Sequence, residues 1–370
     1  MNGRPLAENP SEISALDALE VRTSSSWSNI KAARLASVNA RQLLDGALGE
    51  FTSSDSSIVV VGSLARQEFT VGSDVDWTLL LDGISQPEHL KVAHAIRKAL
   101  DDLKIKQPGR EGIFGTIASS HDLIHHIGGQ DDTNANTTLR ILLLLESDSI
   151  GHSDAYERVL RNILWRYLDE DRGLWLGSGP YKVPRFLFND VARYWRTMTV
   201  DFAYKQRNRQ NEGFAIRNLK LRMSRKLLFL AGMVACFECH SGFASDEERR
   251  EFYSTKQVQA VIERLRLVLI KPPLEIIASA LLRDTKLDSH SKQLFDSYND
   301  FLGMLSDNNP SCDGKTIRDH LDSLPVDLLG SDKTASRGRD ISHSFRDAIK
   351  AIFLSNENEL GKMTIEYGVF

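Results

Sequence analysis

Residues 59–82 read VVVGSLARQEFTVGSDVDWTLLLD, in which two apolar runs flank a short polar stretch. Both runs are rich in β-branched and aromatic residues, and they predict strands over residues 57–61 and 76–81. After the first strand, Gly62 and Ser63 predict a turn that leads into a short helix. The first N–H groups of such a helix would face a bound phosphate.

The segments outside this stretch predict an α+β fold with a small sheet of mixed direction. Apolar residues recur at helical spacing both before and after the two strands. One further apolar run is short enough to be a third strand. Helices are predicted at 28–49, 87–103, 121–127 and 137–146, and the third strand at 113–118.

The second half of the chain predicts helices only, the first of them at 154–168. We therefore expect an α+β lobe with a small mixed sheet over residues 1–150 and an α-helical bundle lobe over residues 151–370. Residues 333–341 are mostly polar and are interpreted as a linker. Residues 361–370 are interpreted as a short, mobile tail.

The composition limits the class of protein. The chain has 370 residues and a net charge of −4, so the molecule as a whole is not expected to bind polyanions. Three cysteines are too few for a disulfide framework and favour a reducing compartment. We find neither a signal peptide nor an apolar run near the roughly 20 residues of a membrane helix. The sequence predicts a cytoplasmic protein without a membrane partner.

The polar residues between the two strands suit phosphate and metal chemistry. Asp74 and Asp76 are two residues apart, so on a strand their carboxylates point to one face and could bind Mg²⁺ or Mn²⁺. Gly62 permits close approach of a backbone to a ligand, and the Ser63 hydroxyl can donate to a phosphate. Arg66, one helical turn further on, is expected to reach the same phosphates.

These residues also carry a resemblance to a known family. The pattern Gly-x-x-x-Arg-x-Glu…Ser-Asp-x-Asp resembles the signature of the DNA polymerase β-like nucleotidyltransferases, and it is similar to that of bacterial PII uridylyltransferases. The similarity covers residues 30–165 and includes DTNANTTLRILLLLES at 132–147. It implies that residues 1–150 form a polymerase β-like nucleotidyltransferase lobe and that an NTP or dNTP substrate binds in the cleft between the two lobes, with release of pyrophosphate. The pattern is met by Gly62, Arg66, Glu68, Ser73, Asp74 and Asp76.

The resemblance also implies further site residues. Members of the family usually have a third carboxylate that binds metal and acts as base. Here Glu111 is the first candidate, with Asp122 and Glu146 as alternatives. A helix of the second domain usually binds the triphosphate, which suits Lys220 and Ser224, although a solvated basic face is the alternative. Ser73 belongs to the nucleotide-binding signature itself.

The acceptor is left open by the sequence. One hypothesis is template-independent synthesis of oligonucleotide signals, resembling nucleotidyltransferases of bacterial antiviral systems, with an effector protein as partner. Another is nucleotidyl transfer to a protein or RNA hydroxyl by a regulator or toxin. A third is a nucleotide sensor without turnover. Tyr367, in the predicted tail, is a candidate self-acceptor.

Overall fold

The structure, a computed structural model, describes residues 13–108, 113–176, 179–306 and 316–368. The strands are β1 (Ser56–Val61), β2 (Asp76–Leu81), β3 (Thr116–Ser119) and β4 (Ser147–Ile150). The helices are α1 (Ala15–Arg22), α2 (Ser28–Leu48), α3 (Pro87–Asp102), α4 (Ser120–His125), α5 (Asn134–Leu145), α6 (Asp154–Leu168), α7 (Arg172–Leu176), α8 (Arg185–Asn208), α9 (Phe214–Lys220), α10 (Lys226–Ser241), α11 (Asp246–Ser254), α12 (Val258–Leu269), α13 (Pro273–Leu281), α14 (Asp288–Ser306), α15 (Ile317–Ser323), α16 (Lys333–Phe353) and α17 (Glu359–Gly368). A π-helical turn, Leu221–Arg225, joins α9 to α10.

Contacts divide the chain into two compact units, each built from several segments. The first unit includes Arg34–Val191 and Ala235–Pro273. The second unit includes the described residues of Ile13–Ala33, Ala192–Val234 and Leu274–Phe370. The boundary that the sequence predicts near residue 150 stays a prediction.

The first unit contains a mixed four-stranded sheet, which confirms the predicted α+β class. The strand order is β3-β2-β1-β4, with β1 antiparallel to both β2 and β4 and with β2 parallel to β3. The polar strand β4 was not predicted, and β3 begins three residues later than expected. In the β1–β2 ladder, Val61 pairs with Asp76. The last residue of one strand therefore lies beside the first residue of the next.

Alternate residues of β1 and β2 build the core on one face of the sheet. Ile58, Val60, Trp77 and Leu79 are buried and belong to one apolar cluster with side chains of α2 and α3. Successive side chains of a strand point to opposite faces. Asp76 therefore points away from this core, while the Trp77 next to it packs inside.

A buried ionic cluster joins α5 to α6 and α8 within the first unit. The guanidinium of Arg140 is fully buried and donates to both carboxylate oxygens of Asp132, at 3.0 and 3.1 Å. It also donates to Asp190 at 2.8 Å and to the Tyr167 hydroxyl at 2.7 Å. Such a charge is tolerated in a protein interior only when it is paired. The cluster holds α5 in place, and α5 leads directly into β4.

The polar segment interpreted as a linker is the first part of α16, so that prediction is wrong. The Asp332 carboxylate caps the helix by accepting from the Ala335 N–H at 2.7 Å. Ile341 and Phe345, four residues apart, are both buried. A helix satisfies the hydrogen bonds of the backbone here and buries one narrow stripe of apolar side chains, although most of the side chains are polar.

The two cysteines in the described part of the chain lie in α10. Cys236 and Cys239 are free and buried, and burial raises the pKa of Cys239 to about 12. Within the described ranges, no single helix has both the length and the apolar character that crossing a membrane requires. The bent pair Phe214–Ser241 and Asp246–Ser254 meets those two criteria jointly.

Candidate functional site

The β1–β2 pairing places the Asp76 carboxylate against Gly62. Gly62 follows β1 directly and has a φ of +77°, which side-chain-bearing residues rarely adopt. A Cβ atom at this position would lie 3.2 Å from Oδ2 of Asp76. The backbone conformation therefore favours glycine, and a side chain at this position would crowd the Asp76 carboxylate. This brings together two residues that the sequence predicted to belong to one site.

Asp74 lies two residues before Asp76, in the segment that leads into β2. Val75 between them is buried in the core, and its N–H donates to the Lys106 carbonyl at 2.9 Å. Neither aspartate belongs to the apolar cluster that contains Val75 and Trp77. Both are half-buried, and Asp74 has no hydrogen-bond or ion-pair partner among the residues that the structure describes.

The segment after Gly62 forms turns, so the predicted short helix is absent. The N–H of Arg66 donates to the Gly62 carbonyl at 3.0 Å, and the N–H of Glu68 donates to the Ser63 carbonyl at 2.8 Å. Gln67 interrupts any helix with a φ of +60°. In the described part of the chain, the N–H groups of Ser63 and Leu64 and the Ser63 hydroxyl have no acceptor. Consecutive free N–H groups of this kind suit an anion.

Arg66 has a different environment from the one expected. It is only 6% exposed, and its guanidinium donates to Glu68 at 2.8 Å and, by a very short contact, to Glu146. The two carboxylates, which are themselves buried, hold Arg66 inside the first unit. Arg66 anchors the turn after β1 to the residue before β4, and its predicted contact with phosphate stays a prediction. Glu146, an alternative candidate for the third carboxylate of the site, belongs to this buried ionic group with Arg66 and Glu68.

Ser73 shapes the turn that leads into Asp74. Its N–H donates to the Thr70 carbonyl at 3.0 Å, and its hydroxyl accepts from the Thr70 N–H at 3.1 Å. Gly72 within this turn has a φ of +76°. Thr70 was not predicted to belong to the site, although a Thr two residues before a Gly-Ser pair is a recognisable turn pattern. The structure supports a positioning role for Ser73.

Among the residues that the structure describes, no third carboxylate joins the two aspartates in a metal-binding group. Glu111 lies outside the described residues, and β3, the strand next to β2, reads TIAS. Asp122 is about half exposed on α4, 3.7 Å from Nδ1 of His126. Across the described ranges, no group of three or more His, Cys, Asp or Glu side chains could hold a metal ion. The donor set of Asp74 and Asp76 still fits a hard cation, which prefers carboxylate oxygen and keeps several waters.

The remaining predicted residues lie in the second unit. Lys220 ends α9, and the buried Ser224 hydroxyl donates to its carbonyl at 3.2 Å within the π-helical turn. Tyr367 lies in α17, where Leu360 and Met363 are buried, so the prediction of a mobile tail is wrong. Nucleotide binding by Lys220 and Ser224, and the self-acceptor role of Tyr367, stay predictions.

Comparisons with models of protein families, with curated proteins and with solved structures find no match to this chain.

Proposed function

We propose that this protein is a metal-dependent nucleotidyltransferase that moves a nucleoside monophosphate from an NTP or dNTP to a hydroxyl acceptor. One observation carries the proposal. The Asp76 carboxylate stands against Gly62, which precedes the N–H groups of Ser63 and Leu64, and Asp74 lies two residues before it; within the described ranges, Asp74 has no partner and the two N–H groups have no acceptor. Groups that suit a cation and groups that suit a phosphate thus lie at the same end of β1 and β2.

The residues divide the chemistry between them. Asp74 and Asp76 would hold Mg²⁺ or Mn²⁺, which when bound neutralises the phosphates and the departing pyrophosphate. The N–H groups of Ser63 and Leu64 and the Ser63 hydroxyl would donate to the terminal phosphates. Gly62 has no side chain to keep those phosphates from the backbone. A bond then forms between the acceptor oxygen and the α-phosphorus, and the bond to pyrophosphate breaks.

For the acceptor, we place the hydroxyl of a nucleotide or oligonucleotide first. The support is the basic residues of the helix at 214–233 and of the segment 205–209, which suit a polyanionic product such as the oligonucleotides made by nucleotidyltransferases of bacterial antiviral systems. The similarity of the Gly62–Asp76 motif to PII uridylyltransferases favours a protein acceptor instead. Protein hydroxyls, RNA ends and the Tyr367 hydroxyl are the alternatives. They differ in where the transferred nucleotide ends up, so one labelling experiment separates them.

A nucleotide sensor without turnover is the second candidate. It is favoured by the strand next to β2, because none of the β3 residues Thr116–Ser119 is acidic. Without a third carboxylate, two aspartates can hold a metal–nucleotide complex but supply no further base for the acceptor hydroxyl. Binding would then persist while transfer is absent.

The test compares transfer by the native chain with that of the double variant Asp74→Asn and Asp76→Asn. Each labelled NTP and dNTP is incubated with the protein and Mg²⁺ or Mn²⁺. We expect the double variant to lose transfer by more than about 100-fold, because changes even around metal ligands typically cost 10- to 100-fold. The matched control is Asp55→Asn with Asp102→Asn, two exposed carboxylates of the same unit.

The fate of the label decides between the candidates. Label in a free or nuclease-sensitive oligomer supports oligonucleotide synthesis, and label that only protease releases supports transfer to protein. Metal-dependent binding without incorporation supports the sensor. Turnover that is unchanged in the folded double variant would overturn the proposed site.

A further inference from the structure

The second unit contains a cavity of its own. Its volume is about 250 Å³, and it lies between α9 with the π-helical turn on one side and the segment from α15 to α16 on the other. Small residues of α16 leave the space open, since a Cβ added to Gly338 would already approach Leu219 to 3.3 Å. The apolar part of the wall includes Phe214, Leu219, Leu321, Leu329, Ala335 and Gly338.

Two arginines stand at this apolar cavity. Arg222 comes from the π-helical turn and Arg339 from α16, and both line the space. Arg222 is exposed and has no hydrogen-bond or ion-pair partner within the part of the chain that the structure describes. Arg339 donates one N–H to the Leu329 carbonyl at 3.2 Å, so its other donors stay available. A π-helical turn is uncommon and often marks a functional site.

The positive charge continues beyond the cavity. Lys226 follows Arg222 by four residues, and Arg346 and Lys350 continue the Arg339 side of α16 at helical spacing. Burial lowers the pKa of Lys226, and the charges of Arg222, Arg346 and Lys350 lower it further. Arg346 pairs with its exposed neighbour Asp347 at 3.0 Å. Lys226 is half-buried and Lys350 exposed, and the structure gives neither an acidic partner in its described ranges.

We propose that this cavity and the cation row beside it bind a nucleoside polyphosphate. The cation row consists of Arg222, Lys226, Arg339, Arg346 and Lys350. The base would occupy the apolar cavity, where the Asn218 amide can donate and accept hydrogen bonds. The phosphates would lie along the cation row, since one guanidinium group can donate two parallel hydrogen bonds to phosphate oxygens. The site lies entirely in the second unit and does not depend on the proposed transferase activity.

The site consists of an apolar cavity and a row of cations, so its ligand must combine an apolar part with negative charge. A purely apolar ligand would leave the cation row without counter-charge. Inorganic polyphosphate would leave the cavity unfilled, and burial of an apolar ring is itself favourable. A nucleotide meets both requirements at once. The site itself resembles most small-molecule sites, in which an apolar pocket carries a few polar groups.

The binding test uses the full chain carrying Asp74→Asn and Asp76→Asn, in EDTA, so that the metal-dependent site of the first unit is silent. Isothermal titration with ATP, GTP, CTP and UTP is compared with the corresponding nucleosides and with inorganic triphosphate. We expect at least one nucleotide to bind at least about 10-fold more tightly than its nucleoside or the triphosphate. Failure of the transferase proposal would not change this result, because its aspartates are already removed.

Variants assign the binding to the two halves. In the same background, Arg222→Gln and Lys350→Gln should each weaken nucleotide binding about 10-fold or more, and Ala335→Leu should do the same by filling the cavity. Arg337→Gln removes a charge from an α16 side chain that does not line the cavity, and it should have no effect. The proposal is overturned if no nucleotide binds, if triphosphate binds as tightly, or if Arg222→Gln or Ala335→Leu leaves affinity unchanged.

Discussion

Two independent features of the structure favour a residue without a side chain at Gly62. Its backbone is left-handed, with a φ of +77°. The carboxylate of Asp76 lies close to where a Cβ atom would stand. In many turns only the first constraint applies. The second one connects the identity of this residue to the position of a candidate metal ligand.

We expect Gly62→Ala to lower the free energy of unfolding by about 1–2 kcal/mol, the usual cost of a left-handed residue with a side chain. It should also weaken metal-dependent nucleotide binding, because the new methyl group displaces the Asp76 carboxylate. Urea denaturation and equilibrium binding measure the two effects. Gly128→Ala is the control, since Gly128 has a φ of +72° but open space around it. Equal binding by both variants would contradict the role of the close contact.

The sequence motif and the structure suggest two different roles for Arg66. Its place in the motif suggests a phosphate ligand, whereas in the structure it is buried between Glu68 and Glu146. Removing one member of a buried ionic group leaves the others as uncompensated charges. The two roles therefore predict different consequences for the same substitution.

We expect Arg66→Met to lower the free energy of unfolding by about 3–5 kcal/mol. Neutralising the remaining acids as well, with Glu68→Gln and Glu146→Gln, should restore part of that loss. Chemical denaturation of the single and triple variants measures both. A single variant of native stability that no longer binds nucleotide would instead assign Arg66 to the phosphates.

Helices of this chain place their glycines in very different surroundings. Gly46 lies inside α2, and a Cβ there would meet no atom within 4 Å. Gly361 lies in α17, where a Cβ would overlap the Ser355 carbonyl oxygen. The sequence does not distinguish the two positions, because the difference arises from the path of the chain before α17.

We expect Gly46→Ala to raise the free energy of unfolding by up to about 1 kcal/mol, since alanine restricts the unfolded chain and favours helix. Gly361→Ala should destabilise, because the overlap involves backbone atoms that cannot rotate away. Thermal or urea denaturation of the two variants shows the opposite signs. Equal shifts in one direction would show that the surroundings of these glycines do not determine the outcome.

The whole fold protects the thiols of Cys236 and Cys239. Both are buried, and burial raises their pKa values, to about 12 for Cys239. An unfolded cysteine ionises near pH 8.5. Between these pH values the unfolded state loses thiol protons that the folded state keeps. The thiols therefore contribute stability below about pH 8.5 that is lost progressively as the pH rises towards 12.

With Cys312 replaced by Ser, we expect the thiols of the folded protein to react with a thiol reagent at pH 8 only as fast as the structure around α10 opens. Denaturant should expose both remaining thiols at once. Spectroscopic titration of released chromophore in native buffer and in guanidinium measures the difference. Rapid native reaction of one thiol would show that α10 opens locally, without global unfolding.

Local patterns in the sequence were sufficient for much of the fold. The predicted bounds of β2 (Asp76–Leu81) and α6 (Asp154–Leu168) agree with the structure, because β2 has an apolar run and α6 an apolar helical periodicity of its own. The polar strand β4 (Ser147–Ile150) has no such periodicity. It is a strand because β1 supplies an antiparallel partner for its backbone.

The sequence by itself determined which residues carry suitable chemistry: two aspartates at the start of a strand and a Gly-Ser pair at the end of another. Tertiary structure alone decided that Asp76 meets Gly62, that Arg66 is buried between Glu68 and Glu146, and that α16 closes a cavity lined by Arg222. Propensity and periodicity act over a few neighbouring residues, and they are written in the local sequence. Contacts between residues far apart along the chain depend on how whole elements pack, and no single segment contains that information.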